Sequence, residues 1–362
     1  MDAMTDCLRI GSIGAHPSPF GIRGFAVQSG AKMKPLEGVE LTAVSEINEA
    51  AAQRAQQFFG FKEYYVDYRE MLQQADLDAV VIALPTNLHK QASIDALEAG
   101  CHVLCEKPPT NTAEEMQEVA EAVQKNNRRY MFVRQSRFLP NVQRAREMVL
   151  AGELGEVYAA ETSWVRSRGE QIKGTAWRSR RDEGGGVLLD LGIHGIDQAW
   201  FCMGNPKPVE VMAMTHTAFR HFSIRPDDYT ADDTCVCMIR FDTGTMLQGL
   251  FAFGMNAIGP PGEKDKALPY SKEWQTSKLF GTDAGLDIDR KLIMRGPVDD
   301  VKVTSMNVPE EHEHPMVSQA REFIAAIREG REPLNNVENA LTLMKMLTAL
   351  KRSGDKRQSV SI

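Results

Sequence analysis

Short apolar runs that end in small or acidic residues recur through the first third of the chain. They alternate with stretches in which apolar residues return every third or fourth position. Leu8 to Ile13 is such a run, ending at Gly14, and Val39 to Val44 is another, ending at Ser45-Glu46. Both read as buried parallel strands, which are apolar on both faces rather than alternating. From Asn48 to Phe58 the spacing turns helical, with Ala51, Ala55 and Phe58 on one face, and Asp67 caps a short helix carrying Met71 and Leu72. Ala79 to Leu84 is a strand stopped by Pro85, and Leu88, Ala92, Ile94 and Leu97 then mark a helix that ends at Gly100. His102 to Cys105 is the next strand. Thr112-x-x-Glu115 has the form of a capping box and opens a helix through Val119 and Val123, before a strand at Tyr130 to Val133. Strand-helix units of this length predict a doubly wound parallel sheet with right-handed crossovers, an architecture suited to nucleotides.

The remaining two-thirds has a different rhythm. A helix from Leu139 to Leu150 leads into longer strands at Val157 to Trp164, Val209 to Thr215 and Thr234 to Phe241. Asp242-Thr243-Gly244-Thr245 is a turn signal, so Thr234 to Phe241 and Met246 to Phe253 should form a hairpin. Runs of strands without helices between them indicate a large, mainly antiparallel sheet, open on one face or covered by a partner. Leu188 to Met203 reads as a helix, Gly259-Pro260-Pro261-Gly262 as a turn, and Glu263 to Lys266 as a charged surface loop. Met316 to Glu329, closed by Gly330, and a last segment from Asn336 with Ala340, Met344, Leu347 and Leu350 on one face complete the helices. The fold class is therefore α/β. A Rossmann-type domain spans 1–133, and an α/β domain for substrate binding and oligomerisation spans 134–362.

Bulk properties narrow the function. A chain of 362 residues exceeds what one core usually supports. With 42 Lys+Arg against 49 Asp+Glu the net charge is −7, so there is no general attraction to nucleic acid or anionic membrane. No apolar stretch is long enough to span a bilayer, and the first ten residues lack the pattern of a secretory signal. Six scattered cysteines fit reduced thiols better than a disulfide framework, and a cytoplasmic location is expected.

The candidate chemistry gathers at strand ends. Glu106-Lys107-Pro108 follows the strand His102 to Cys105, and in open parallel sheets the carboxyl ends of the strands are where ligands bind. A dinucleotide fingerprint after the first strand is half present. Gly14 stands in place, His16 occupies the position of the second glycine, and a few extra residues precede Gly21 or Gly24. Read alone, that loop is equally a Pro-rich surface turn. Glu46, at the end of the second strand, is placed to bond both ribose hydroxyls of an adenosine and to repel a 2′-phosphate, favouring NAD over NADP; the competing reading is a solvated helix cap. In the second part Asp190, His194 and Asp197 fall at i, i+4 and i+7, on one side of a helix. An imidazole one turn from a carboxylate can act as a supported general base. Gly184-Gly185-Gly186 just before them lets another backbone, or a ligand, come close. Trp177, Arg178, Arg180 and Arg181 are candidates for substrate or phosphate contact, against the alternative of a charged solvated loop. Cys235-x-Cys237 and His312-x-His314 lack the further ligands of a closed zinc site, so no metal is expected.

These segments resemble the glucose-fructose oxidoreductase, inositol dehydrogenase and rhizopine-catabolism (Gfo/Idh/MocA) family. The likeness is carried by Pro85-Thr86-x-x-His89, Ala99-Gly100-x-His102-Val103-x-x-Glu106-Lys107-Pro108, Arg137-Phe138-x-Pro140, Gly184 to Asp197 and, more weakly, Phe323-x-x-x-Ile327-x-x-Gly330-x-x-Pro333. It implies an N-terminal Rossmann domain, a C-terminal α/β domain and NAD(P) at the carboxyl edge. The implied catalytic residues are Lys107, Asp190 and His194. Gly14, Ala15, His16, Glu46, Leu84, Pro85, Thr86, His89, Glu106, Lys107 and Gln135 would bind the cofactor, and Lys107, Trp177, Arg178, Asp190 and His194 the substrate. Thr86 replaces a frequent asparagine, while Pro109 and the altered glycine loop depart from the family pattern. The expected activity is hydride transfer between NAD (less readily NADP) and a sugar, polyol or keto-sugar, in a homo-oligomer held through the C-terminal sheet. Two alternatives stand beside it: a glycoside-cleaving or lyase enzyme that oxidises its substrate only transiently, and a non-catalytic binding protein on the same fold.

Overall fold

A computed structural model describes residues 7–15, 22, 24–29, 32–173, 177–260 and 272–362. His16, the loop residues up to Gly21, the Pro261-Gly262 half of the second turn and the charged run Glu263 to Lys266 lie outside the described residues. The chain forms two compact units, Met1–Phe138 with Glu313–Leu341 and Leu139–His312 with Thr342–Ile362.

In the first unit β1 (Leu8–Ile13) precedes a small antiparallel ribbon of β2 (Ala26–Ser29) and β3 (Lys32–Pro35). β4 (Val39–Ser45), β5 (Glu63–Tyr65), β6 (Ala79–Ile82), β7 (His102–Cys105) and β8 (Tyr130–Phe132) join β1 in a six-stranded sheet ordered β5-β4-β1-β6-β7-β8. Every neighbouring pair is parallel. The apolar runs are continuous because both faces of the sheet are covered: β6 is buried at each residue. Between the strands run α1 (Glu49–Phe59), α2 (Tyr68–Gln74), α3 (His89–Glu98) and α4 (Ala113–Asn126). Their starts are set by side chains that accept orphan N–H groups, Asn48 from Ala51, Asp67 from Arg69 and Thr112 from Glu115. The capping box closes one residue early: the Glu115 carboxylate takes the N–H of Asn111 at 2.8 Å.

Two helical faces differ from the sequence reading. α1 buries Ala52, Ala55 and Phe59, while Phe58 is 40% exposed. Ala51 and Phe58 are thus one step off the inward stripe, a shift that adjacent phenylalanines make invisible to spacing alone. Leu88 belongs to a 3-10 turn, Thr86–Leu88, and is exposed; α3 begins only at His89.

The second unit contains α5 (Pro140–Leu150), β9 (Val157–Arg166), α6 (Ile193–Cys202), β10 (Pro208–His216), β11 (Thr234–Phe241) and β12 (Met246–Ala252). β13 (Glu273–Gly281), β14 (Ala284–Asp287), β15 (Leu292–Arg295), β16 (Lys302–Ser305) and β17 (Val360–Ser361) follow. They build one nine-stranded sheet, β16-β15-β14-β13-β9-β12-β11-β10-β17. All pairs are antiparallel except β9 with β12, which run parallel. The expected hairpin joins β11 to β12, closed by Phe241 N–H donating to the Thr245 carbonyl at 3.0 Å. β11 alternates strictly, with Cys235, Cys237, Ile239 and Phe241 buried and Val236, Met238 and Arg240 exposed. The Cys235-x-Cys237 pair therefore consists of two core thiols. Strands β13 to β16 were not anticipated; β14, β15 and β16 have four residues each, and β16 is exposed at all of them, so it carries no apolar alternation to detect.

Two last helices close the chain. α7 (Pro315–Glu329) counts with the first unit; the ring of His314 accepts the Met316 N–H at its start, and Gly330 ends it at φ +68°. α8 (Val337–Lys356) follows, and the unit boundary falls between Leu341 and Thr342.

Candidate active site

Strand order locates the candidate residues of the first unit. β4 and β5 lie on one side of β1, and β6, β7 and β8 on the other, so the winding reverses between β1 and β6; in open sheets ligands bind outside the strand ends at that switch point. Gly14 leaves β1 there at φ +93°, and a Cβ on it would collide with the Ala83 carbonyl, which follows β6. Only glycine keeps both the turn and the close approach. Gly14 N–H donates to the Ser45 carbonyl at 2.9 Å, tying the loop to the end of β4. Just beyond, Glu46 accepts the Ala15 N–H at 3.1 Å and the Asn48 N–H at 3.3 Å. Its carboxylate is thus fixed across the first residue of the glycine loop and also bonds the amide of Asn48, the residue that caps α1.

The neighbouring strand ends carry the other candidates. Leu84, Pro85 and Thr86 follow β6, with Thr86 buried and Pro85 exposed. Lys107 stands two residues past β7, its N–H donating to the Glu106 carboxylate at 3.3 Å. Gln135 opens the 3-10 turn after β8 and is half-buried. His89 is 1% exposed, and its ring nitrogens lie 2.7 Å from the Pro108 carbonyl and 2.8 Å from the Leu84 carbonyl. Burial holds the pKa of this imidazole below its ordinary value, opposed by those two carbonyls and by the charge of Glu106. The resemblance gives His89 a place beside the cofactor; its ring nitrogens face backbone carbonyls.

The other candidates belong to the second unit. The three glycines make room for backbone: Gly185 N–H donates to the Arg180 carbonyl at 2.8 Å and Gly186 N–H to that of Arg178 at 3.0 Å. A Cβ at Gly185 would sit 2.5–2.6 Å from the carbonyl oxygens of Arg180, Arg178 and Trp177. This fold-back carries Arg178 to Asp190, Nε to Oδ2 at 3.2 Å, with the guanidinium also stacked on Trp177 at 4.6 Å. Asp190 is 6% exposed, so its charge is held out of water against a cation. The adjacent arginines end elsewhere, Arg180 on Glu183 and Arg181 on Asp355, each at 2.8 Å.

Leu188 to Met203 is not a single α-helix. A π turn, Leu188–Gly192, precedes α6. The i, i+4, i+7 arithmetic was drawn for 3.6 residues per turn, and a π turn breaks that count. Asp190 and His194 consequently sit in different kinds of turn, and Asp197 is fully buried. His194, half-buried in the first turn of α6, meets the Trp164 indole edge-to-face at 5.2 Å. Trp164 Nε1–H donates to Glu273 at 2.6 Å, and Arg166 Nε bonds the same carboxylate oxygen at 3.0 Å. Trp164 and Glu273 were not singled out from the sequence. A tryptophan close to the end of an otherwise alternating strand was the available signal.

Comparison with known proteins agrees with this fold. Residues 19–134 match the family model "Oxidoreductase family, NAD-binding Rossmann fold", and residues 142–262 match the "GFO/IDH/MocA C-terminal domain". The chain is 30% identical to the D-glucoside 3-dehydrogenase of Escherichia coli K12 over 60% of its own length and 64% of that protein's. It is 28% identical to the levoglucosan dehydrogenase of Pseudarthrobacter phenanthrenivorans over 56% of each. The aligned part thus spans less than two thirds of either relative. In fold it is similar to levoglucosan dehydrogenase in complex with NADH and levoglucosan, with a TM-score of 0.81 at 21% identity over 98% of this chain and 99% of that one. Two models from one family, covering consecutive stretches of one chain, show that it belongs to the Gfo/Idh/MocA oxidoreductases.

Proposed function

We propose that the protein is a dehydrogenase that uses NAD in preference to NADP to interconvert a hydroxyl and a carbonyl on a sugar, polyol or keto-sugar. The observation that carries this reading is the convergence of Gly14, Glu46 and Lys107 on the carboxyl edge of one parallel sheet. The positive φ of Gly14 permits the tight turn at the strand end where a pyrophosphate would lie, and Glu46 offers the acceptor that a ribose diol needs, so these residues fit a dinucleotide. Ala15, His16, Leu84, Pro85, Thr86, Glu106 and Gln135 complete the proposed cofactor set. When bound, NAD supplies the acceptor for hydride from the carbinol carbon. In the oxidising direction His194 takes the hydroxyl proton, and the Lys107 ammonium hydrogen-bonds the same oxygen as negative charge develops on it. Asp190, oriented by Arg178, binds substrate, with Trp177 stacked on Arg178. A sugar substrate is supported by what the two dehydrogenase relatives are called, a glucoside and levoglucosan enzyme.

The test is a panel of aldoses, polyols, keto-sugars and glycosides, assayed with both cofactors. Activity should appear as NADH absorbance, and Lys107→Met or His194→Ala should lower turnover by about a hundredfold or more. Full activity in both variants would remove these assignments. A glycoside cleaved without net absorbance change would replace the dehydrogenase with the transient-oxidation enzyme. We further propose a homo-oligomer: adjacent strands β10, β11 and β12 expose Met212, Met214, Val236, Met238 and Met246, an apolar face typical of subunit contacts.

A further inference from the structure

We propose that His89 is the positioning residue for Lys107, acting as a cross-strand clamp beyond the end of the sheet rather than as a cofactor ligand. The inference rests on the reading of Lys107 given above. β6 and β7 pair in register as far as Ile82 and Cys105, and the last backbone bond between them is Glu106 N–H to the Ile82 carbonyl at 2.9 Å. Lys107 lies just past that point. There one segment runs into Leu84-Pro85 and the other into Lys107-Pro108-Pro109, and none of the three prolines can donate a ladder bond. The His89 ring spans this gap, with one nitrogen on the carbonyl of Leu84 and the other on that of Pro108. It bridges the two strand extensions where the ladder has ended.

The geometry suits an imidazole. Two separate ring nitrogens, about 2 Å apart on a rigid plane, reach acceptors on opposite sides, which the single amide nitrogen of Asn or Gln does not reproduce. Burial keeps the ring neutral, so it donates to one carbonyl and sets its other nitrogen against the second. Complete burial of the ring leaves it no access to a bound ligand, and its position at the first residue of α3 fixes it to the helix that follows β6. Lys107 is held from both sides along the chain. Its own N–H is on Glu106, and the next carbonyl is on His89. An ammonium that must meet one oxygen gains from such fixing, since a displacement of about 1 Å can cost roughly a hundredfold in rate.

A double-mutant cycle tests this. Wild type, His89→Gln, Lys107→Met and the double variant are compared in single-turnover hydride transfer and in NAD binding by calorimetry. His89→Gln should lower the rate by about tenfold to a hundredfold and leave the NAD dissociation constant within about twofold. In the Lys107→Met background the same change should alter the rate by less than about twofold, because its route of action is gone. Additive losses, or an NAD affinity that falls along with the rate, would overturn the proposal. His89→Asn, checked for an intact fold by circular dichroism, serves if His89→Gln does not fold. A readout independent of activity separates this idea from the proposed function. After reductive dimethylation with ¹³C, the NMR titration of Lys107 should shift in His89→Gln even if no sugar is ever oxidised. An unchanged titration midpoint would show that His89 does not set the surroundings of Lys107.

Discussion

At the level of single residues, the candidate site depends on groups held by short-range geometry rather than by residue type alone. Glu46 is informative because its carboxylate is already bonded to the Ala15 and Asn48 amides, which aims it at the mouth of the glycine loop. Replacing it by alanine should weaken NAD binding by about tenfold or more, the worth of a charge-assisted hydrogen bond. NADP binding should hold or improve as the repulsion of a 2′-phosphate is lifted, and fluorescence titration with each cofactor reads the difference. Equal losses for both would show that Glu46 does not discriminate. Lys107 and Glu46 were legible from sequence because each follows a short apolar run, and the position after such a run is set locally. The partnership of Asp190 with Arg178 was not, since it arises from backbone folding back over twelve residues through a glycine triplet.

Elements add constraints that single residues do not carry. In α1 the inward stripe is Ala52, Ala55 and Phe59. Phe59→Ala should therefore cost about 3–5 kcal/mol, whereas Phe58→Ala should stay within about 1 kcal/mol; urea unfolding of the two variants distinguishes the observed face from the one inferred by spacing. At the start of β7, His102 accepts the Arg129 N–H on Nδ1 at 2.8 Å, a bond that needs an unprotonated nitrogen. Burial, reinforced by Arg128 and Arg129 and opposed by Asp78, holds its pKa down to about 4. An unfolded chain takes up this proton below the ordinary value of 6.5, while the folded one does so only near 4. Stability should therefore fall as the pH drops through that window, by on the order of 1–3 kcal/mol for a ring that keeps some exposure. His102→Asn should flatten this part of the profile, compared by urea midpoints at about pH 4.5 and about pH 7. An unchanged slope would assign the acid sensitivity elsewhere. The π turn before α6 is likewise a property of an element: its sequence, Leu-Leu-Asp-Leu-Gly, is as apolar as an ordinary helix, and only the hydrogen bonding shows the extra residue.

For the whole molecule, the exposed methionine face of the nine-stranded sheet bears on assembly. Met238→Asp, placed in the middle of β11, should shift sedimentation to a smaller species without loss of fold by circular dichroism, because a charge on a buried subunit contact lacks a partner. A wild type that sediments as a monomer, or a variant that sediments as wild type does, would exclude this face as the contact. Much of the architecture could be read in advance. Continuous apolar runs between capped helices led to the parallel sheet, and the alternation of β11 with its Asp-Thr-Gly-Thr turn led to the hairpin. Those signals are local, because a strand covered on both faces must be apolar throughout and a helix must cap its first amides within a turn. The parallel β9–β12 pairing, the β13–β9 pairing, the exposed edge strand β16 and the inclusion of α7 in the first unit depend on partners more than forty residues away or on chain that carries no periodicity. The sequence by itself determined the parallel strands of the first unit, their capped helices and which side chains stand at those strand ends. The tertiary structure decided which of those ends are neighbours, that the Gly14 turn abuts the Ala83 carbonyl and that His89 bridges Leu84 to Pro108. Such proximities follow from strand order and long-range packing, which no local pattern of polarity encodes.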